Sequence, residues 1–189
     1  MTGDAAAVAR AVAAYRDTAG IPEVAASPPY VRYLTGRIAT GSLLTGELTG
    51  DGTAYKDGVA QTRQLMRDTS RTADPAGWSQ LATDAAFGIS RALRAGDVSL
   101  GTIDEAASLA RDAVGYFTQN PGDGLPYAKD ALCNVLIEQG RLARARATVE
   151  EGIGLCREAI AALSDKGRPH ALVRIGKTVA YGEGVLAKL

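Results

Sequence analysis

The sequence predicts an all-α chain of stacked helical hairpins, and three observations predict it. Prolines recur at Pro29, Pro75, Pro121 and Pro169, separated by 46, 46 and 48 residues, while glycines at Gly50, Gly96 and Gly140 fall between them. Proline favours helix starts and glycine favours positions just past helix ends, so the alternation reads as helix, turn, helix, turn. Between these markers apolar residues fall at i, i+3, i+4 and i+7, and no stretch alternates as a strand would. Finally, 35 of the 189 residues are alanine and only 5% are aromatic. A core of that composition has to come from close helix–helix approach, and the length suits one domain.

The elements follow in order. An N-terminal helix over residues 4–18 carries Val8, Val12 and Tyr15 on one line, with Asp4 to cap it and Gly20-Ile21-Pro22 to stop it. Residues 20–29 then read as a short connector. The first hairpin spans residues 30–71, with Leu34, Ile38, Gly41, Leu44 and Leu48 on one stripe, a turn at Gly50-Asp51, and Val59 and Met66 on the return. The second spans 76–118, with Trp78, Ala82, Ala85, Ile89 and Leu93 before a Gly96-Asp97 turn, and Ile103, Ala106, Ala110, Ala113 and Phe117 after it. The third spans 126–163, with Ala128, Leu132, Val135 and Leu136 before a turn at Gly140, and Val149, Gly152, Ile153, Cys156 and Ile160 after it. A last helix over 169–188 opens at Pro169, carries Leu172, Ile175, Val179 and Leu186, and is expected to cap the stack.

Residues 127–155 resemble a tetratricopeptide repeat. Leu132, Cys133 and Leu136 match its first helix, Gly140 its turn, and Ala145, Val149 and Gly152 the small positions of its second helix. Ile175, Gly176 and Val179 repeat the first half of the pattern. The spacing is longer than the usual unit of about 34 residues and is similar to divergent long-repeat arrays of actinobacterial proteins, with a HEAT-like α-solenoid as the alternative. Some of those arrays adjoin caspase-like proteases or transcriptional regulators. The resemblance implies a right-handed α-solenoid of about three hairpins whose first helices line a concave groove for a protein or peptide partner. Carried onto this chain, the groove positions are Tyr127, Asp130, Asn134 and Ile137, joined by His170, Arg174 and Lys177 of the last helix, with Arg91 also directed grooveward. Asn134, Arg174 and Lys177 would hold a peptide carboxylate by charge-assisted hydrogen bonds, although the two lysines of carboxylate-clamp repeats are not both present. Tyr30, Tyr33, Trp78 and Tyr127 stand near the starts of first helices, where they would either anchor a partner or fill the core.

Composition sets the function classes. The chain has 21 basic and 21 acidic residues, and residues 1–95 hold 10 and 9 of them respectively, so no basic arm exists to grip nucleic acid. No apolar run approaches the ~18 residues of a membrane span, and the N-terminus lacks a secretory signal pattern. A single histidine, His170, excludes a multi-histidine metal site and gives no catalytic triad. Residues 171–178 match a relaxed phosphate-loop pattern, but they lie in a helical period with no preceding strand, and the match is set aside. Arg63, Arg67 and Arg71 on one helix, and Arg141, Arg144 and Arg146 on another, read as solvated faces with local ion pairs. With a turn at Gly140, Cys133 and Cys156 would be offset by ~13 Å along the helix axis, too far for a disulfide. Two buried free thiols and a reducing cytoplasm are therefore expected.

The function expected is a non-catalytic scaffold or adaptor that binds a protein or peptide, with no cofactor, no metal and no catalytic residue. The alternative is a small-molecule-binding protein or enzyme of bacterial secondary metabolism, with Tyr33, Arg37 and Arg91 facing an enclosed ligand. A third reading is a regulatory module that self-associates.

Overall fold

A computed structural model describes residues 5–189, and all the regular structure among them is helical. The order is α1 (Ala5–Ala19), α2 (Pro22–Ala25), α3 (Pro28–Thr49), α4 (Gly52–Asp68), α5 (Pro75–Arg94), α6 (Ile103–Gln119), α7 (Gly124–Ala143), α8 (Arg146–Leu163) and α9 (Pro169–Leu186), with a 3-10 turn at Ser164–Lys166. Local chemistry explains most boundaries. Helices α3, α5 and α9 open on proline. Asp51, Asp74 and Thr102 accept hydrogen bonds from the amides of Thr53, Gly77 and Glu105, capping α4, α5 and α6. Gly50 ends α3 at φ 72°, in the left-handed region that favours glycine. The expected cap at Asp4 lies outside the described residues, and the connector 20–29 contains the one-turn helix α2 that periodicity did not reveal.

Helices consecutive in the chain pack together from α3 to α9, and α1 packs on α3. A second set of contacts joins α3 to α5, α5 to α7 and α7 to α9. Alanines let the middle helices approach: Ala82, Ala85, Ala86 and Ala92 of α5 and Ala106, Ala107, Ala110 and Ala113 of α6 are all fully buried. One core cluster joins Val59, Ile89, Val135 and Leu136, and a second joins Ile137, Val149, Ile153, Leu163 and Ile175.

The third turn differs from its expectation. Helix α7 runs through Gly140 to Ala143 and ends on Arg144, a left-handed non-glycine residue at φ 54°. Gly140 is needed for closeness: a methyl group there would stand 2.5 Å from Val149 Cγ2 and 2.9 Å from the Ala145 carbonyl oxygen. The later turn re-registers the cysteines. Cys133 lies eleven residues before Arg144 and Cys156 eleven after Ala145, so they come level, with Cα atoms 5.4 Å apart, and form a disulfide. The expectation of two free thiols is thereby overturned, and the inference from them to a reducing compartment goes with it.

Candidate functional site

The face on which α3, α5, α7 and α9 meet carries a buried polar layer. On α7, Asp130, Asn134 and Glu138 stand four residues apart on one side of the helix and are buried to within 1%. Glu138 accepts from Arg94 Nε at 2.7 Å and Arg141 Nε at 2.8 Å, and the Tyr181 hydroxyl bonds to it as well. Asn134 receives Arg94 Nη2 at 3.3 Å on its Oδ1 and donates its Nδ2 to Asp130 Oδ1 at 3.1 Å. Asp130 Oδ2 pairs with Arg174 Nη1 of α9 at 2.5 Å. From α5, Arg91 donates its Nη2 to Thr178 Oγ1 at 3.1 Å and sets its Nε 3.0 Å from Glu47 Oε2 of α3. That last contact is an ion pair without hydrogen-bond alignment.

Aromatic rings complete the layer. Arg91 and Arg174 lie over the Phe87 ring at 5.1 and 4.8 Å, and Arg94 lies over Tyr181 at 3.8 Å. Burial, with the neighbouring Arg94 charge, pulls the Arg91 guanidinium below its usual value. Burial also raises Tyr55 and Tyr181, and the adjacent carboxylates Glu47 and Glu138 add to the rise. Glu47, Asp130 and Glu138 are thus shared among four arginines, Arg91, Arg94, Arg141 and Arg174. Chemically the layer is a set of paired charges that fixes helices against one another, with no nucleophile poised beside a base.

Four of the residues expected at the groove, Arg91, Asp130, Asn134 and Arg174, come together in this layer. The carboxylate that Asn134 and Arg174 hold is the chain's own Asp130. Lys177 is exposed on α9, and His170 is exposed at its start. Ile137, carried over as a groove position, is instead fully buried in the α7–α8–α9 core, and Tyr127 packs on the same cluster. Trp78 joins Met66 and Phe117 around Ala82, Ala113 and Ala128, with Arg71 over its ring at 4.4 Å.

Tyr30 and Tyr33 stand apart from these, 59% and 58% exposed on α3, and Arg37 lies exposed between them and Thr40, over the Tyr15 ring at 5.8 Å. Leu44 and Leu48, expected on the core stripe with Leu34 and Ile38, are 41% and 38% exposed and continue this row. Positions 30, 33, 37, 40, 44 and 48 therefore form one solvent-facing line along the helix. Arg63 of α4 and Arg71 of the turn after it pair with Glu105 and Asp112 of α6, and Arg67 bonds Gln64 beside it, so the three arginines expected on one helix are divided between helix and turn.

Glu47, Phe87, Arg94, Glu138 and Tyr181 were not singled out from the sequence, and Thr178 only as the end of the phosphate-loop match that was set aside. The usable signal was Asp130, Asn134 and Glu138 recurring every fourth residue through an apolar run, which marks a polar layer within a buried helix. No helix among the described residues is long and apolar enough to cross a membrane, and none of their His, Cys, Asp or Glu groups is arranged to hold a metal ion. Comparison with protein-family models, curated proteins and solved structures finds no match to the chain.

Proposed function

We propose that the chain is a non-catalytic interaction scaffold: a right-handed, tetratricopeptide-like α-solenoid with α3, α5, α7 and α9 as its inner helices. The observation that carries this reading is a recurring offset. Four contacts between successive inner helices join residues 44 apart, at Glu47–Arg91, Arg94–Glu138, Asp130–Arg174 and Asn134–Thr178. Arg94–Asn134 joins residues 40 apart, and Arg91–Thr178 reaches two helices on, across 87. The other layer keeps a near-constant offset of its own, 41 or 42 residues, at Arg71–Asp112 and Arg63–Glu105. Arg16 of α1 pairs with Asp57 of α4 at 3.5 Å, 41 residues on, which supports reading α1 as a returning helix ahead of α3. Equal offsets between successive contacts are what one supersecondary unit stacked on its copies produces.

Since the charges of the inner polar layer are paired with one another, the partner is assigned to the exposed row of α3. Tyrosine and arginine are the side chains that most often dominate binding energy, and Tyr30, Tyr33 and Arg37 lead that row, with Leu44 and Leu48 behind them. The small-molecule reading has less support: a cavity of about 280 Å³ beside α9 is open to solvent, and Tyr33 and Arg37 do not line it. The test is affinity purification from the source cells with the native chain and with a folded Tyr30→Ala, Tyr33→Ala, Arg37→Ala variant. Proteins retained by the native chain should be lost from the variant; an unchanged set would remove α3 as the docking element.

A further inference from the structure

We propose that the open side of α9 is a second docking site, for an acidic amphipathic helix of a partner protein that seats an aliphatic side chain against Gly184. The inference rests on the helical-repeat reading but uses a different surface from the α3 row. Helix α7 meets α8 through Cys133, Ile137 and Gly140. Cys133 is bonded to Cys156, Gly152 lies where a methyl group would come 3.0 Å from Ile137 Cγ1, and Gly140 lies against Val149. Applying the 44-residue offset seen at Asn134–Thr178, the matching positions of α9 are Lys177, Tyr181 and Gly184.

Among the described residues no helix returns over those positions. Lys177 and Gly184 are exposed, and a methyl group on Gly184 would meet no atom within 4 Å. A cavity of about 280 Å³ opens at this point, lined by Arg141, Tyr181, Gly184, Val185, Lys188 and Leu189. It is the place where, one pair earlier, Val149 fills the space beside Gly140. Val173, 62% exposed, extends the face toward the start of α9.

The charge around the cavity selects the occupant. Lys177 and Lys188 have no ion-pair partner among the described residues, and Arg141 shares Glu138 with Arg94. Glu183, the acid of α9, is held by Arg157 of α8 at 3.0 Å. A second copy docked face to face would set these cations against one another, whereas an acidic helix complements them.

The probe is a fluorescein-labelled synthetic helix with the sequence of residues 146–163 carrying Arg146→Glu, Cys156→Ser and Arg157→Glu, titrated against the full chain by fluorescence anisotropy. Saturable binding is expected. Gly184→Leu, which enters open space in the free protein, and Lys177→Glu with Lys188→Glu should each weaken it by about tenfold or more, with circular dichroism confirming unchanged helix content. Tyr30→Ala with Tyr33→Ala should leave it unaltered, so failure here and failure of the α3 assignment are separable. Absence of saturable binding, or equal binding by the Gly184→Leu and lysine variants, overturns the proposal. So does sedimentation showing that the chain alone dimerises through Gly184, because a second copy then covers the face.

Discussion

Glu138 has no exposed surface, yet it carries a charge that Arg94, Arg141 and the Tyr181 hydroxyl all address. Removing one member of such a group strands the others in a low-dielectric interior. Glu138→Ala is therefore expected to cost about 3–5 kcal/mol, and Glu138→Gln less because an acceptor survives, as read from urea unfolding at neutral pH. Asp84 of α5 is the opposite case. It has Gln80 Nε2 at 3.4 Å and the Thr40 hydroxyl as hydrogen-bond donors, feels Arg174 from α9, and has no ion pair among the described residues. Burial raises its pKa from 3.8 to about 6. A folded value above the unfolded one means that protonation stabilises the fold. That contribution is complete below about pH 4 and is lost as pH rises through about 6. Asp84→Asn should accordingly gain about 1–3 kcal/mol at pH 7 and flatten the stability profile between those two values. Thermal unfolding across that range is the check, and a variant less stable than the native chain at pH 7 contradicts it.

At the scale of elements, the α7–α8 pair shows what one glycine can conceal. Glycine serves either a left-handed helix end or a close crossing, and residue type alone does not say which. Gly50 and Gly96 have positive φ and are each followed by an aspartate, whereas Gly140 is followed by arginine and stays helical. The missing aspartate was the readable difference. The true end, at Arg144, was invisible to any rule that looks for glycine. Four residues of extra helix were enough to bring Cys133 and Cys156 level. Their bond closes a loop of 23 residues, so Cys133→Ala with Cys156→Ala is expected to lower stability by about 3 kcal/mol. Denaturant titration with and without dithiothreitol should show the same loss for the native chain; coincident curves would rule it out.

Across the whole molecule, the all-helical class was legible because proline, glycine and apolar period agreed. Leu44 and Leu48 show what was not legible: periodicity reveals that a helix has an apolar face, but not whether another helix covers it. The polar layer was half legible. Arg91, Asn134 and Arg174 were named and do meet in one layer, while the carboxylate that Asn134 and Arg174 hold is internal, since Asp130 lies one turn before Asn134 and opposite Arg174. The 44-residue offset that recurs in four contacts among α3, α5, α7 and α9 is the observation on which both the scaffold reading and the α9 site depend. Double-mutant cycles in urea at Glu47–Arg91, Arg94–Glu138 and Asp130–Arg174 test it most directly. Coupling of about 1 kcal/mol or more in all three is predicted; coupling absent from two of them would contradict the stacking and both docking surfaces with it.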